Sequence, residues 1–273
     1  MKAIGSAANA TYRAWLRLAR EPRQVRAQRH TLAEGAHLCE AALEAAHPVA
    51  AVIVRGGEAS PAREALLARL ERIDAPRYLL AAPLYDALGL VEHGIGVTLL
   101  LPVAAAGDGP LAGDALYLDG VQDPGNVGAL LRVAAAAGVR HVLASAQTAA
   151  LWAPKVMRAA QGAHFRLDLR EPIGAERLAK FSVAWIGTDL AAQDSLWDTA
   201  LPAGPIGWVV GAEGQGASAA ALSACAHRVR IPLARGVESL NVAAAAAVCL
   251  FERRRRLQAA CQPGHLTGPP PPA

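Results

Sequence analysis

From Ala115 onward, five short strand-like runs, all but the last apolar at nearly every position, alternate with stretches of helical character. The runs lie at 115–118, 141–144, 182–186, 206–210 and 228–231, and the helical stretches at 126–137, 154–161, 174–180, 217–224 and 240–257. Short runs that are apolar at nearly every position, not every second one, read as strands buried on both faces. Strands of that kind separated by helices form a mostly parallel sheet covered on both sides. The predicted fold class is therefore α/β.

Before Ala115 the same alternation is present on a smaller scale. Residues 32–46 (LAEGAHLCEAALEAA) predict an amphipathic helix with Leu32, Ala36, Cys39 and Leu43 near one face. Short strands follow at 49–54, 78–80 and 97–101, with helical segments at 62–72 and 84–88, so a small α/β unit is expected. Residues 103–114 are rich in Pro, Gly and Ala and read as a linker. The expected division is thus 1–102, a linker at 103–114, a larger domain at 115–262 and a tail at 263–273. That tail contains GPPPPA, which suits neither helix nor sheet, and is expected to be disordered. No internal repeat is visible.

With 273 residues, 53% of them hydrophobic, the chain can bury one large core or two modest ones. That excludes a disordered protein, a collagen-like repeat and a small disulfide scaffold. The aromatic fraction of 4% leaves few surfaces for stacking single-stranded bases. Cys39, Cys225, Cys249 and Cys261 are far apart and form no CxxC pair, and the eight histidines include no HExxH. Such spacing predicts no metal site and reads as reduced, buried thiols. Charged residues interrupt any apolar run near the N-terminus, and stretches such as 95–107 fall short of the roughly 20 residues that span a bilayer. A soluble, cytoplasmic chain with no membrane partner is expected.

The net charge of +4 is unevenly placed. Residues 1–30 hold Lys2, Arg13, Arg17, Arg20, Arg23, Arg26 and Arg29 against one acid, Glu21. Arg13, Arg17 and Arg20 recur at helical spacing and predict a basic stripe opposite Trp15, Leu16 and Ala19. A second block, Arg253 to Arg256, closes the last helix, where it also suits the helix dipole. Two basic blocks favour a phosphate-bearing partner over two solvated faces.

Ligands of parallel sheets bind beyond the carboxyl ends of the strands, and three stretches there are unusually polar or glycine-rich. In residues 118–139, Asp123-Pro124-Gly125-Asn126 is a turn into a helix, with Asn126 available as N-cap and Arg132 six residues on. Taken alone, capping and a surface arginine explain that stretch. Residues 209–216 (VVGAEGQG) give GxxGxG, which differs from the dinucleotide pattern and lacks a phosphate-loop lysine. Tight-turn glycines explain it as readily as an anion site. Residues 229–252 place Ser239 and Asn241 around Leu240 at the mouth of a long helix, where one cap and one bystander would suffice.

In this order the three stretches resemble the signature motifs of the SpoU/TrmH family, the ribose 2'-O-methyltransferases of the SPOUT superfamily. The matching residues are Asn126, Gly128 and Arg132; then Gly211, Glu213, Gly214 and Gly216; then Ile231, Pro232, Ser239, Leu240 and Asn241. The resemblance covers 115–257 closely. Residues 20–102 are more loosely similar to the family's ribosomal-protein-like substrate-binding domain.

This resemblance implies a C-terminal domain with a deep trefoil knot, a feature that composition and periodicity could not suggest. It implies a pocket for S-adenosylmethionine at Gly211, Gly214, Ile231 and Leu240, and a homodimer with the last helix at the interface. It implies methyl transfer to a ribose 2'-hydroxyl without a metal. Arg132 would be the fixed cation beside the target phosphate and developing oxyanion, oriented with the ribose by Asn126, Glu213, Ser239 and Asn241. Glu213 is equally suited to fixing the loop. Arg13, Arg17 and Arg20 would attract RNA. Two departures from the family pattern, Ala160 for a common serine and Leu233 for a common methionine, leave the motif residues untouched. The long N-terminal region favours ribosomal over transfer RNA. The rival readings are the same reaction on transfer RNA, a silent RNA-binding relative, a base-nitrogen methyltransferase and an unrelated nucleotide-binding enzyme.

Overall fold

The computed structural model describes residues 1–91, 94–105 and 107–261. The tail expected at 263–273 and the side chain of Cys261 lie outside the described parts. The N-terminal part consists of β1 (Lys2–Ile4), α1 (Ala10–Arg20), α2 (Pro22–Gln28), β2 (His30–Glu34), α3 (Ala36–Glu44), β3 (Ala51–Arg55), α4 (Pro61–Leu70), β4 (Arg77–Leu80), α5 (Ala82–Asp86) and β5 (Val97–Pro102). Its five strands lie in the order β1-β4-β3-β5-β2, with β1, β4 and β3 parallel and β5 antiparallel to both its neighbours.

Two expectations change here. Residues 32–34 belong to β2, where Leu32 pairs with Leu100, and the helix begins only at Ala36. The apolar spacing suits a helix throughout, but Gly35 sits at φ 102°, which strains any other residue and divides strand from helix. Lys2–Ile4 adds an edge strand too short to announce itself. In α1, Asn9 caps the N-terminus, and Tyr12, Trp15 and Leu18 are buried. Arg13, Arg17 and Arg20 consequently point outward.

The C-terminal part continues with β6 (Ala115–Asp119), α6 (Pro124–Ala137), β7 (His141–Ala144), α7 (Pro154–Ala160), β8 (Asp168–Arg170), β9 (Ala184–Thr188), β10 (Ile206–Gly211), α8 (Ala219–Ser223), β11 (His227–Val229) and α9 (Val242–Cys261). All six strands are parallel, in the order β11-β9-β10-β6-β7-β8. The α/β class and the parallel sheet therefore stand. The strand expected at 182–186 runs two residues later, and Ala175–Lys180 is a 3-10 helix instead of an α-helix. β8 escapes a hydrophobic pattern because Asp168 and Arg170 flank its one apolar residue. Asp168 is held by Arg170 at 2.7 Å and by His141 at 2.9 Å.

The larger of two hydrophobic clusters runs through both sheets, and a smaller one around Tyr117 and Trp185 lies in the C-terminal part. Thr31 of β2 donates to the Trp152 carbonyl at 2.5 Å, and His47 stacks on the Trp152 ring. Residues 107–114 lie against the C-terminal sheet: Leu111 is buried, and Asp114 accepts from the Ile206 amide at 2.8 Å.

The guanidinium groups of the second basic block are bonded to other groups of the protein, although Arg254 and Arg255 stay exposed, contrary to its reading as a phosphate-seeking surface. Arg253 is buried and paired with Asp114 at 3.0 Å, and it donates to the Pro202 and Gly204 carbonyls. Arg254 caps the end of α6 through the Ala136 carbonyl. Arg255 and Arg256 both hold Glu252, whose carboxyl those bonds pull down to about 2. Local sequence showed four cations on one helix. The tertiary fold supplies acceptors for Arg253, Arg254 and Arg256, whereas Arg255 bonds only to Glu252 of its own helix. Cys39, Cys225 and Cys249 are free, and burial pushes the Cys39 and Cys249 thiols up to about 12.

Candidate active site

The strand order locates a crevice before any side chain is considered. The chain runs β6, β7, β8 toward one edge, then returns so that β10 lies on the other side of β6. Loops leaving the carboxyl ends of β6 and β10 therefore diverge, and that switch point is where open parallel sheets bind ligands. Gly211 pairs with Asp119 at those two ends.

The β6 end is built around Asp123, not Asn126. Asp123 is the N-cap of α6 and accepts from the Asn126 amide at 2.8 Å, which corrects the expected cap. Pro124 at the first helical position needs no partner for a missing N–H, so the helix starts two residues earlier than predicted. Relieved of capping, the Asn126 side chain is free to act elsewhere. Gly128 lets α6 approach α7, since a Cβ there would lie 2.3 Å from the Ala159 Cβ.

The β10 end turns on glycine. A Cβ on Gly211 would sit 1.9 Å from the backbone of Gly216 and Ala217, so the 212–217 loop folds directly over it. Gly214 and Gly216 take φ 79° and 70°. The loop is closed by the Gly216 amide on the Ala212 carbonyl at 2.8 Å and tied to β6 by Asp119, which accepts from the Ser218 amide at 2.7 Å.

The third stretch brings Asn241 to the same place. Asn241 accepts from the Ala243 and Ala244 amides at 2.9 and 3.3 Å, so its Oδ1 is committed to α9. Its Nδ2 then donates to Asn126 Oδ1 at 2.8 Å. With that oxygen occupied as acceptor, Asn126 Nδ2 donates to the Glu213 carboxylate. A carboxylate can only accept, so the whole chain from α9 through Asn126 to Glu213 has one possible direction. The three stretches, far apart in sequence, meet in a single hydrogen-bonded row.

Beside this row opens a cavity of about 530 Å³. Among the residues predicted from sequence, Gly211, Glu213, Gly214, Ile231, Ser239, Leu240 and Asn241 line it. Arg132 does not. It lies exposed on α6, and among the described residues it has no hydrogen-bond or ion-pair partner. Arg13, Arg17 and Arg20 are on α1 in the N-terminal part, and Arg20 donates to the Ala87 carbonyl at 3.0 Å.

The cavity also takes in Thr188, Asp189 and Leu190, which sequence reasoning missed. Thr188 ends β9, and Asp189 and Leu190 follow it directly. Placing that strand two residues too early hid them, although the rule that ligands sit beyond strand ends would have found them. No group of three or more metal-ligating side chains occurs among the described residues, and none of their helices is long and apolar enough to cross a membrane.

Comparison with known proteins agrees with this geometry. The model of the SpoU rRNA Methylase family matches residues 115–251, just over half of the chain and all three stretches of the site. An uncharacterised tRNA/rRNA methyltransferase of Synechocystis is 37% identical over 175 residues, covering 63% of this chain and 64% of its own length. The 23S rRNA (guanosine-2'-O-)-methyltransferase RlmB of Burkholderia is 43% identical over 148 residues, covering 52% of this chain and 60% of its own. The matched region thus spans less than two thirds of these relatives. The crystal structure of the SpoU methyltransferase AviRb from Streptomyces viridochromogenes, in complex with AdoMet, superposes with a TM-score of 0.81 at 25% identity, covering 91% of this chain and 98% of that one. With the three motif stretches joined at one strand-end crevice and the family model matched across them, this chain belongs to the SpoU rRNA methylase family.

Proposed function

We propose that the chain transfers a methyl group from S-adenosylmethionine to a ribose 2'-hydroxyl of RNA, ribosomal RNA in preference to transfer RNA. The observation that carries this reading is the directed row Asn241–Asn126–Glu213 at the mouth of the cavity. The activity of RlmB, a 23S rRNA guanosine-2'-O-methyltransferase, and the AdoMet bound to AviRb support it. The same reading includes a trefoil knot in the C-terminal part, a substrate-binding role for residues 1–102, a linker at 103–114, a catalytic domain at 115–262 and a cytoplasmic location.

The cavity fits the cofactor. Its volume lies in the range of small-molecule sites. Leu190, Ile231, Leu233 and Leu240 offer apolar surface for a base, while Asp189, Glu213 and Glu238 supply negative charge suited to a sulfonium. Gly211 brings backbone against the cavity where any side chain would intrude. When bound, the cofactor supplies an electrophilic methyl group.

The protein's own residues then have defined tasks. Glu213 fixes Asn126, Asn126 and Asn241 present oriented amides, and Ser239 lines the cavity beside them. That arrangement favours loop and ribose positioning for Glu213 over direct proton transfer. Arg132 serves as a guanidinium cation for the phosphate and the developing oxyanion. It lies six residues beyond Asn126, a rise of about 9 Å and roughly 120° around the helix, so it faces away from its own cavity. A homodimer resolves this. Next to Arg132, α6 and α9 expose small and apolar residues, including Ala136, Ala244 and the 45% exposed Phe251, and pairing that face would carry Arg132 to the partner's cavity.

The test is transfer of radiolabelled methyl from S-adenosylmethionine, in EDTA, to ribosomal and transfer RNA from a strain lacking the gene. The expected product resists alkaline cleavage at one position of ribosomal RNA. Label on a base, or no calorimetric binding of cofactor, would overturn the reading. For RNA capture, Arg13→Gln and Arg17→Gln are each expected to flatten the log–log salt dependence of RNA affinity by ~0.7–0.9. Arg20→Gln should act less, because its guanidinium is already bonded to Ala87.

A further inference from the structure

Arg26 belongs to the N-terminal basic cluster by sequence, but its guanidinium is spent inside the protein. From α2 it reaches the C-terminal part, where Nε and Nη2 donate to Glu171 Oε2 at 2.9 and 2.7 Å. Nη1 donates to the Ala146 carbonyl at 3.2 Å and Nη2 also to the Thr148 carbonyl at 2.8 Å. Four of its five N–H groups are thus engaged, which leaves little for a phosphate. Glu171 is nearly buried, and its other oxygen accepts from the Leu151 amide at 2.8 Å. Arg26 and Glu171 together grip the 145–151 loop from both ends.

That loop in turn holds the end of β6. The Ser145 amide and the Thr148 hydroxyl both donate to the Leu118 carbonyl, at 3.0 and 2.8 Å. The Gly120 amide is shared between Ser145 Oγ at 3.0 Å and Thr148 Oγ1 at 3.1 Å. The Ala149 amide donates to the Val121 carbonyl at 2.9 Å. Two residues after Val121 comes Asp123, the cap that sets Asn126. Hydrogen bonds, continued along the backbone from Val121 to Asp123, therefore lead from an N-terminal helix to the amide of Asn126.

We propose that Arg26 is a positioning residue for methyl transfer, holding the 118–126 turn, and with it Asn126, in register through the 145–151 loop. This rests on the reaction proposed above. It also gives the contact between the two parts of the chain a function, since anything that shifts α2 shifts the turn.

The test is Arg26→Gln in the full-length protein. Single-turnover methylation at saturating RNA and cofactor is expected to fall about 10-fold, as displacement of a reacting group does. Affinity for S-adenosylmethionine, affinity for RNA and its salt slope should stay as in the wild type. Amide hydrogen exchange should quicken in peptides covering 118–126 and 145–151 but not in β9 or β10. Arg26→Lys should rescue only part of the rate, because one ammonium cannot span a carboxylate and two carbonyls as a planar fork does. Glu171→Gln, which keeps the shape and removes the charge, should move rate and exchange in the same direction, and it serves if Arg26→Gln folds poorly. An unchanged rate per folded molecule overturns the proposal. So does a loss of RNA affinity with a flatter salt slope, which would make Arg26 a phosphate contact. Should the wild-type protein transfer no methyl group, the reaction reading fails by itself, and the exchange pattern alone then decides whether Arg26 holds the turn.

Discussion

Arg132→Ala is expected to lower the single-turnover rate of RNA methylation by on the order of 100-fold or more, as removal of a positioned charge stabiliser does. Cofactor affinity should hardly change, because Arg132 takes no part in lining the cavity. Its exposure and lack of a partner among the described residues make a purely structural role a poor explanation for such a loss. The homodimer reading sharpens the expectation. Mixing equal amounts of Arg132→Ala and Asn126→Ala subunits should restore about a quarter of the wild-type rate. Half of the dimers would be mixed, and each of those would hold one intact pairing of cavity and arginine. Neither variant alone should be active. If the mixture stays inactive although the subunits exchange, Arg132 acts in its own protomer or not at all.

Gly211→Ala carries the second large effect. The added methyl would lie 1.9 Å from backbone atoms of Gly216 and Ala217, and backbone cannot swing aside as a long side chain can. The 212–217 loop must lift, at a cost of about 2–3 kcal/mol and a fall in Tm of about 5–10 °C. Since that loop lines the cavity and carries Glu213, the calorimetric signal for S-adenosylmethionine should disappear even where the variant is folded. Gly214→Ala and Gly216→Ala make the informative contrast. Nothing lies within 4 Å of a Cβ at either position, so only the left-handed backbone is penalised, by about 1–2 kcal/mol. Those variants should still bind cofactor. Equal loss of binding in all three would mean that loop flexibility, not close approach at Gly211, decides the site.

Much of this was legible along the chain, and the reasons differ by element. The strands at β6, β7 and β10 announce themselves because both faces are buried and nearly every residue is apolar. β8 does not, since two of its three residues are charged and owe their place to each other and to His141. The helix at 36–44 is legible, but its start is not, because Leu32 fits a helical spacing while Gly35 enforces the break. The polar and glycine-rich strand ends at 118–139, 209–216 and 229–252 mark the candidate site along the chain.

What sequence by itself determined is therefore whatever depends on neighbours in the chain: the parallel sheet, the strand-end loops and the glycines on which they turn. Only the tertiary structure decided which polar groups those loops join. Asn126 could cap its own helix or reach outward, and it reaches outward because Asp123 takes the cap. Its partners, Glu213 and Asn241, lie 87 and 115 residues away, and no local periodicity encodes bonds of that span. The arginines show the same division. Residues 253–256 and Arg26 read as surface charge, yet carbonyls and carboxylates brought up by distant segments engage Arg253, Arg254, Arg256 and Arg26, and Arg255 alone is held within its own helix. A guanidinium carries five donors wherever it stands, and the fold alone determines whether protein, water or phosphate receives them.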